Sequence, residues 1–320
     1  MPPSRSRRRT VGFSLLAAIG GLVVVLAATE ATARKTGVDR IQEVRPGDRT
    51  KLRVAHGAPV WDTAPDRAAR LTGCADGRVD ALLAGSSIFM GVGLETSDTP
   101  FRRLEAHGVE CVVDQAQSGF AFQQQLAMAT EGLARWRPKV VIWEIWQNTP
   151  RTVQMVGEAA FNFGSLQLDE LLLPNPLGVR PDWNRRAFVS SAAWRKLVVS
   201  RAVPGPNQGV DDEWRTWAEH DLAQAHALVS GVGAELLLVF APALDRPFEQ
   251  SVAQPYSGYA VAHAAADELG IATLSLAEAL VGESVEALRL DPCCHYNAAG
   301  ADAVARVIAD RVRSLDASGP

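Results

Sequence analysis

The sequence predicts an α/β domain in which a parallel sheet is covered by helices on both faces. Short apolar runs alternate with stretches of helical periodicity. At 320 residues and 47% hydrophobic, the chain is long and apolar enough to bury a full core. The runs at 79–84, 109–113, 140–145, 235–240 and 271–274 read as buried strands. Phe122, Leu126, Ala129, Leu133 and Trp136 recur at helical spacing, and Pro138 marks the stop. Trp214, Trp217, Leu222, Ala225 and Val229 outline a second helix, and Ala301, Val304, Ile308 and Val312 a last one. No internal repeat or low-complexity tract interrupts the alternation. In sheets of this kind ligands bind outside the carboxyl ends of the strands, which directs attention to the residues just past each strand.

Three segments stand outside the alternation. In residues 1–35, Arg5, Arg7, Arg8 and Arg9 precede an uncharged stretch at 11–29. As a helix that stretch would span roughly 28 Å, close to the hydrocarbon thickness of a bilayer. The basic cluster keeps its own end in the cytoplasm and sends the rest of the chain outside. Two readings compete. One is an uncleaved anchor, giving a single-pass membrane protein with an extracytoplasmic domain. The other is a signal peptide cut near Ala31-Thr32-Ala33, giving a secreted or periplasmic protein. Residues 36–77 are polar and irregular and read as a linker into a domain at 78–318. The stretch at about 149–212, with Phe161, Phe163, Trp183, Trp194 and several prolines, is too long for a simple connection. It reads as an insertion with some helix at 185–198, which either packs on the sheet edge or walls the substrate site.

Charge and cysteine usage narrow the function classes. A net charge of -4 leaves no basic footprint for nucleic acid. The four cysteines, Cys74, Cys111, Cys293 and Cys294, lack the two spaced pairs of a zinc site, and no cofactor or metal is expected. Cys111 lies in an apolar run and reads as simply buried. The adjacent Cys293 and Cys294 form a vicinal disulfide, or one of them reaches Cys74, or they stay reduced; an oxidising compartment permits any of these.

Past the first strand comes Gly85-Ser86-Ser87-Ile88-Phe89-Met90-Gly91-Val92-Gly93, where flanking glycines let a serine hydroxyl sit at the mouth of the sheet. Past the second comes Asp114 to Phe120 with Gly119, and past the third Trp146-Gln147-Asn148-Thr149. Before the last helix comes Asp291-Pro292-Cys293-Cys294-His295. Each is a weak signal alone, and their order along one sheet edge carries the information.

That order resembles the SGNH (GDSL) hydrolase family over about 79–312. The resemblance implies a three-layer α/β/α sandwich with a five-stranded parallel sheet of flavodoxin-like order. It further implies Ser87 as nucleophile and His295 as general base, with an oxyanion hole made by the N–H groups of Ser87 and Gly119 and the side-chain amide of Asn148. Those residue types suit acyl transfer. A serine hydroxyl attacks only when a base takes its proton, and preset donors stabilise the charge that develops on the carbonyl oxygen. Three departures stand out. Ser86 replaces an aspartate, Trp146 and Thr149 replace glycine and aspartate, and Pro292 occupies the place of the acid three residues before the histidine. Asp291 is one residue further out, so either the loop bulges to bring it to His295 or a backbone carbonyl holds the imidazole in a dyad. The expected function is an extracytoplasmic ester hydrolase acting on a small-molecule or polysaccharide ester, O-acetylated carbohydrate among them. The alternatives are an acyltransferase using the same serine and a non-catalytic, membrane-tethered binding or assembly protein. The oligomeric state is left open.

Overall fold

The computed structural model describes residues 24–32, 42–44, 51–56, 58–62, 79–147, 149–150, 152–156, 159–164, 181–195, 197 and 210–317. The chain divides into two compact units, one formed by residues 1–44 and 155–204, the other by 45–154 and 205–320. The second unit contains a five-stranded parallel sheet. Its strands are β1 (Ala81–Ala84), β2 (Val112–Asp114), β3 (Val140–Ile145), β4 (Glu235–Phe240) and β5 (Ala272–Ser275). Across the sheet they run β5-β4-β3-β1-β2, so the order reverses between β1 and β3. At such a switch point the strand ends splay and leave a crevice at the carboxyl edge.

The pleat divides the core in two. Ala81 and Leu83 of β1, Val140 and Ile142 of β3 and Leu237 and Val239 of β4 face one layer. That layer holds α1 (Ser87–Met90), α2 (Pro100–Ala106) and α6 (Ala298–Ala317), through Phe89, Leu104, Val304 and Ile308. Leu82, Val141, Trp143, Leu236 and Leu238 face the other layer. There lie α3 (Phe122–Trp136), α4 at 210–231 and α5 (Ser257–Leu269). α4 carries a π-helical turn at Ala218–Leu222. The outcome is a helix–sheet–helix sandwich whose strands are apolar on both faces, as a doubly covered sheet requires. Phe122 stacks on Trp143 with ring centroids 4.5 Å apart, and Trp217 meets Phe122 edge-on.

Helix α6 returns the end of the domain to its beginning. Arg313 Nη1 donates to the His107 carbonyl at 2.7 Å, and His107 Nε2 lies 3.1 Å from Asp302, so α6 is fastened beside the end of α2. On the opposite layer α5 meets α4 at Gly258, where an added Cβ would come within 2.1 Å of Trp214 Nε1. Trp214 is fully buried and has no room to yield. Gly258→Ala is therefore expected to lower stability by about 1–3 kcal/mol, read as a lower denaturant midpoint with an unchanged m-value.

Residues 36–77 contain more order than their polarity suggests. Lys51–Ala55 and Ala58–Asp62 form an antiparallel hairpin with Ala55, Ala58 and Val60 buried, and its second strand lies against α3. Cys111 is disulfide-bonded, which corrects the expectation of a merely buried thiol. Cys74 lies outside the described residues.

In the other unit, Gln42–Val44 pairs antiparallel with Ala159–Gly164. The helix at 24–32 presents Glu30 to the start of a helical turn at 192–195, where the Ser191 hydroxyl and the Ala192 and Ala193 N–H groups donate to its carboxylate. A carboxylate at that end meets N–H groups that have no partner within the turn. The turn follows the helix Pro181–Ser190. Most of the expected anchor or signal segment lies outside the described residues. Among those described, no helix is long and apolar enough to cross a membrane.

Candidate active site

The nucleophile turn is built at the end of β1. The chain leaves the strand at Gly85, enters α1 at Ser87, and stops at Gly91, whose left-handed φ of 72° suits a residue without Cβ. The Ser87 carbonyl accepts from Val92 N–H and the Ser86 carbonyl from Met90 N–H, closing the turn. Gln117 N–H donates to the Gly85 carbonyl, extending the pairing of β1 and β2 past the strands. Two residues beyond that pair come Ser87 on one side and Gly119, at φ 78°, on the other. Among the described residues neither the Ser87 nor the Gly119 N–H has an acceptor.

The histidine arrives on a loop pinned from several sides. Asn297 caps α6 by accepting from Gly300 N–H, while its side-chain amide donates to the carbonyls of Ala287 and Arg289. Leu290 N–H donates to the His295 carbonyl at 2.7 Å, and Leu244 N–H to the Cys293 carbonyl. Held in this way, His295 Nε2 lies 2.9 Å from Ser87 Oγ and Nδ1 lies 2.5 Å from Asp291 Oδ2. The extra residue between acid and histidine is absorbed by a tight loop. Asp291 Oδ1 accepts from the N–H groups of Cys293, Cys294 and His295, and Cys293 and Cys294 are joined in a vicinal disulfide. Partial burial alone would raise the Asp291 carboxyl, but the hydrogen bonds from the His295 ring and from the loop N–H groups outweigh it and bring it down to about 2.

An Nδ1–H donated to Asp291 leaves Nε2 free to accept the Ser87 proton, the arrangement a serine needs to attack an ester carbonyl. Asp291, Cys294 and His295 also converge within 4.8 Å, as ligands of a metal would. Here, however, the Cys294 sulfur is spent in the disulfide and the His295 Nδ1 on Asp291. Asn148 lies outside the described residues. On either side of it Trp146 and Thr149 are tied to each other: Trp146 N–H donates to the Thr149 hydroxyl and Thr149 N–H to the Trp146 carbonyl, each at 2.8 Å. Thr149 thus has a structural task.

One site residue has no counterpart among the sequence expectations. Glu144 of β3 is buried, and the pleat turns it toward the layer that holds α1. Its Oε2 accepts from Ser86 N–H at 3.0 Å and Phe89 N–H at 2.9 Å, and its Oε1 from the Ser86 hydroxyl. Burial pushes its carboxyl up, opposed by these hydrogen bonds and by the charge of His295. The available signal is a single carboxylate inside Val-Val-Ile-Trp-Glu-Ile, a run otherwise apolar on both faces. A charge there demands partners.

A cavity opens along the same sheet edge, past β4 and β5. It is bounded by Gln147, Arg246, Ser251, Tyr256, Tyr259 and His263. The Tyr259 hydroxyl donates to the Ala241 carbonyl, and the His263 ring stacks on Phe240, with burial pushing its imidazole down.

No family model matches the chain, and no curated protein matches it. Solved structures similar to it include a GDSL-like lipase from Bacteroides thetaiotaomicron, at 13% identity and TM-score 0.42, covering 78% of this chain and 95% of that one. The lipase/acylhydrolase from Enterococcus faecalis is similar at 11% identity and TM-score 0.44, covering 74% and 96%. The psychrotrophic esterase EstA from Pseudoalteromonas sp. is similar at 12% identity and TM-score 0.44, covering 75% and 99%.

Proposed function

We propose that the protein is a serine ester hydrolase. In this reading Ser87 is acylated, His295 is the general base, Asp291 orients it, and the N–H groups of Ser87 and Gly119 with the Asn148 amide receive the oxyanion. The observation that carries it is the placing of one imidazole between a serine hydroxyl and a carboxylate, at hydrogen-bond distance from both. In the first step Ser87 Oγ bonds to the acyl carbon while its proton passes to His295 Nε2. That proton then goes to the departing alcohol, and water attacks the acyl-serine by the reverse sequence.

The substrate is proposed to be a small-molecule or polysaccharide ester met outside the cytoplasm. The basic cluster before an uncharged stretch at 11–29 supports the location.

The test is hydrolysis of p-nitrophenyl acetate together with labelling by a serine-directed fluorophosphonate, the adduct located by mass spectrometry. Turnover with the phosphonyl group on Ser87 is the expected result. Folded protein that neither hydrolyses nor labels would be a binding module on this fold, and the enzymatic reading would fall.

A further inference from the structure

We infer that Glu144 is a positioning residue of this site, acting on the nucleophile through the turn that carries it; the inference rests on the ester-hydrolase reading. A carboxylate shut away from water is among the costliest groups to bury, and it is retained only where donors converge on it. The donors to Glu144 are the Ser86 N–H, the Ser86 hydroxyl and the Phe89 N–H. They flank Ser87 on both sides along the chain, and none of them is Ser87 itself.

The geometry explains three features at once. With the N–H groups of residues 86 and 89 turned inward onto β3, the Ser87 N–H keeps no acceptor among the described residues and is left for an oxyanion. Position 85 has no room for a side chain, because a Cβ there would come within 2.8 Å of Glu144 Oε2 and 2.9 Å of Glu144 Cβ. The hydroxyl of Ser86, the residue that departs from the family pattern, supplies a third donor, which an aspartate at that place would not. A leucine would fill the same space on this face of the sheet beside Ile142. Packing alone therefore does not call for an acid here.

The experiment compares wild type, Ser87→Ala, Ser86→Ala, Glu144→Leu and the double variant Ser86→Ala/Glu144→Leu in the intact protein. The readouts are kcat and KM on p-nitrophenyl acetate, the rate of phosphonylation, and Tm. Glu144→Leu leaves the inward Ser86 and Phe89 N–H groups without their acceptor, which tilts the turn. A loss of about 100-fold in kcat and in phosphonylation rate is expected, with KM within about threefold of wild type. Ser86→Ala removes one donor, and a loss of about tenfold is expected. The double variant should be no slower than Glu144→Leu alone, because both changes break one network.

A lowered Tm with wild-type kcat in Glu144→Leu would make the carboxylate merely structural and overturn the inference. If Glu144→Leu does not fold, Ser86→Ala decides: wild-type kcat and phosphonylation there overturn it equally. A wild type that is neither active nor labelled sinks the hydrolase reading itself. An active wild type, a dead Ser87→Ala and fully active Ser86 and Glu144 variants sink only the role given to Glu144.

Discussion

His295→Ala is expected to lower kcat on p-nitrophenyl acetate by a factor on the order of 10⁶ and to abolish fluorophosphonate labelling, with the fold retained. The size follows from the geometry. Among the described residues Ser87 Oγ has one base within reach, His295 Nε2 at 2.9 Å, and without it the hydroxyl must attack with its proton still attached. The Glu144 carboxylate cannot take over, because its oxygens are occupied by Ser86 and Phe89. The fold should tolerate the change, since it is the His295 backbone, through its N–H to Asp291 and its carbonyl to Leu290, that holds the loop. Circular dichroism and Tm check the fold, and stopped assays at high enzyme concentration check the rate. Appreciable activity in the folded variant would mean that the base lies elsewhere.

Asp291→Asn is expected to cost about 10⁴-fold in kcat. An asparagine keeps Oδ1 for the N–H groups of Cys293, Cys294 and His295, so the loop should hold its shape. Its amide nitrogen would then face His295 Nδ1 as a donor. The imidazole would be forced to carry its proton on Nε2, where it can no longer accept from Ser87. A wild-type rate in Asp291→Asn would indicate a working serine–histidine dyad. The same residue has a signature in acid. Its folded carboxyl sits near 2, below the ordinary 3.8, so its contribution to stability is fully present above about pH 4 and is lost as pH falls toward 2. Asp291→Asn should remove that part of the acid dependence of Tm and no other. Because Asp291 keeps its charge down to that range, the acid limb of kcat/KM in the wild type should not come from it.

What is legible in the sequence depends on whether the signal is local. The third and fourth strands are marked by runs apolar but for Glu144 and Glu235, and Val140–Ile145 and Glu235–Phe240 occupy the expected ranges. The second strand slides from 109–113 to Val112–Asp114. Val109 is used instead to close the end of α2, its N–H donating to the Leu104 carbonyl. The hairpin at 51–62 escapes a hydrophobicity reading because the side chains described as buried in it, Ala55, Ala58 and Val60, are small. In the site, Ser87, Gly119 and His295 stand out by following a strand or preceding a helix. Glu144 is hidden by the apolar residues around it, and its donors lie more than fifty residues away. Nor can the approach of Asp291 to His295 be read locally. The loop that brings them together is braced by Leu244, whose N–H binds the Cys293 carbonyl from a different part of the chain.

The fastening of α6 beside α2 bears on when the protein can act during its synthesis. Ser87 and its turn lie early in the domain, while His295 is separated from Ser87 by 208 positions. The segment that follows His295 is docked through Arg313 and Asp302 onto the end of α2. A nascent chain that has not yet reached residue 295 therefore holds Ser87 without the imidazole that faces it in the folded domain. Completion of the Ser87–His295 pair is a long-range event, coupled to the closure of the domain.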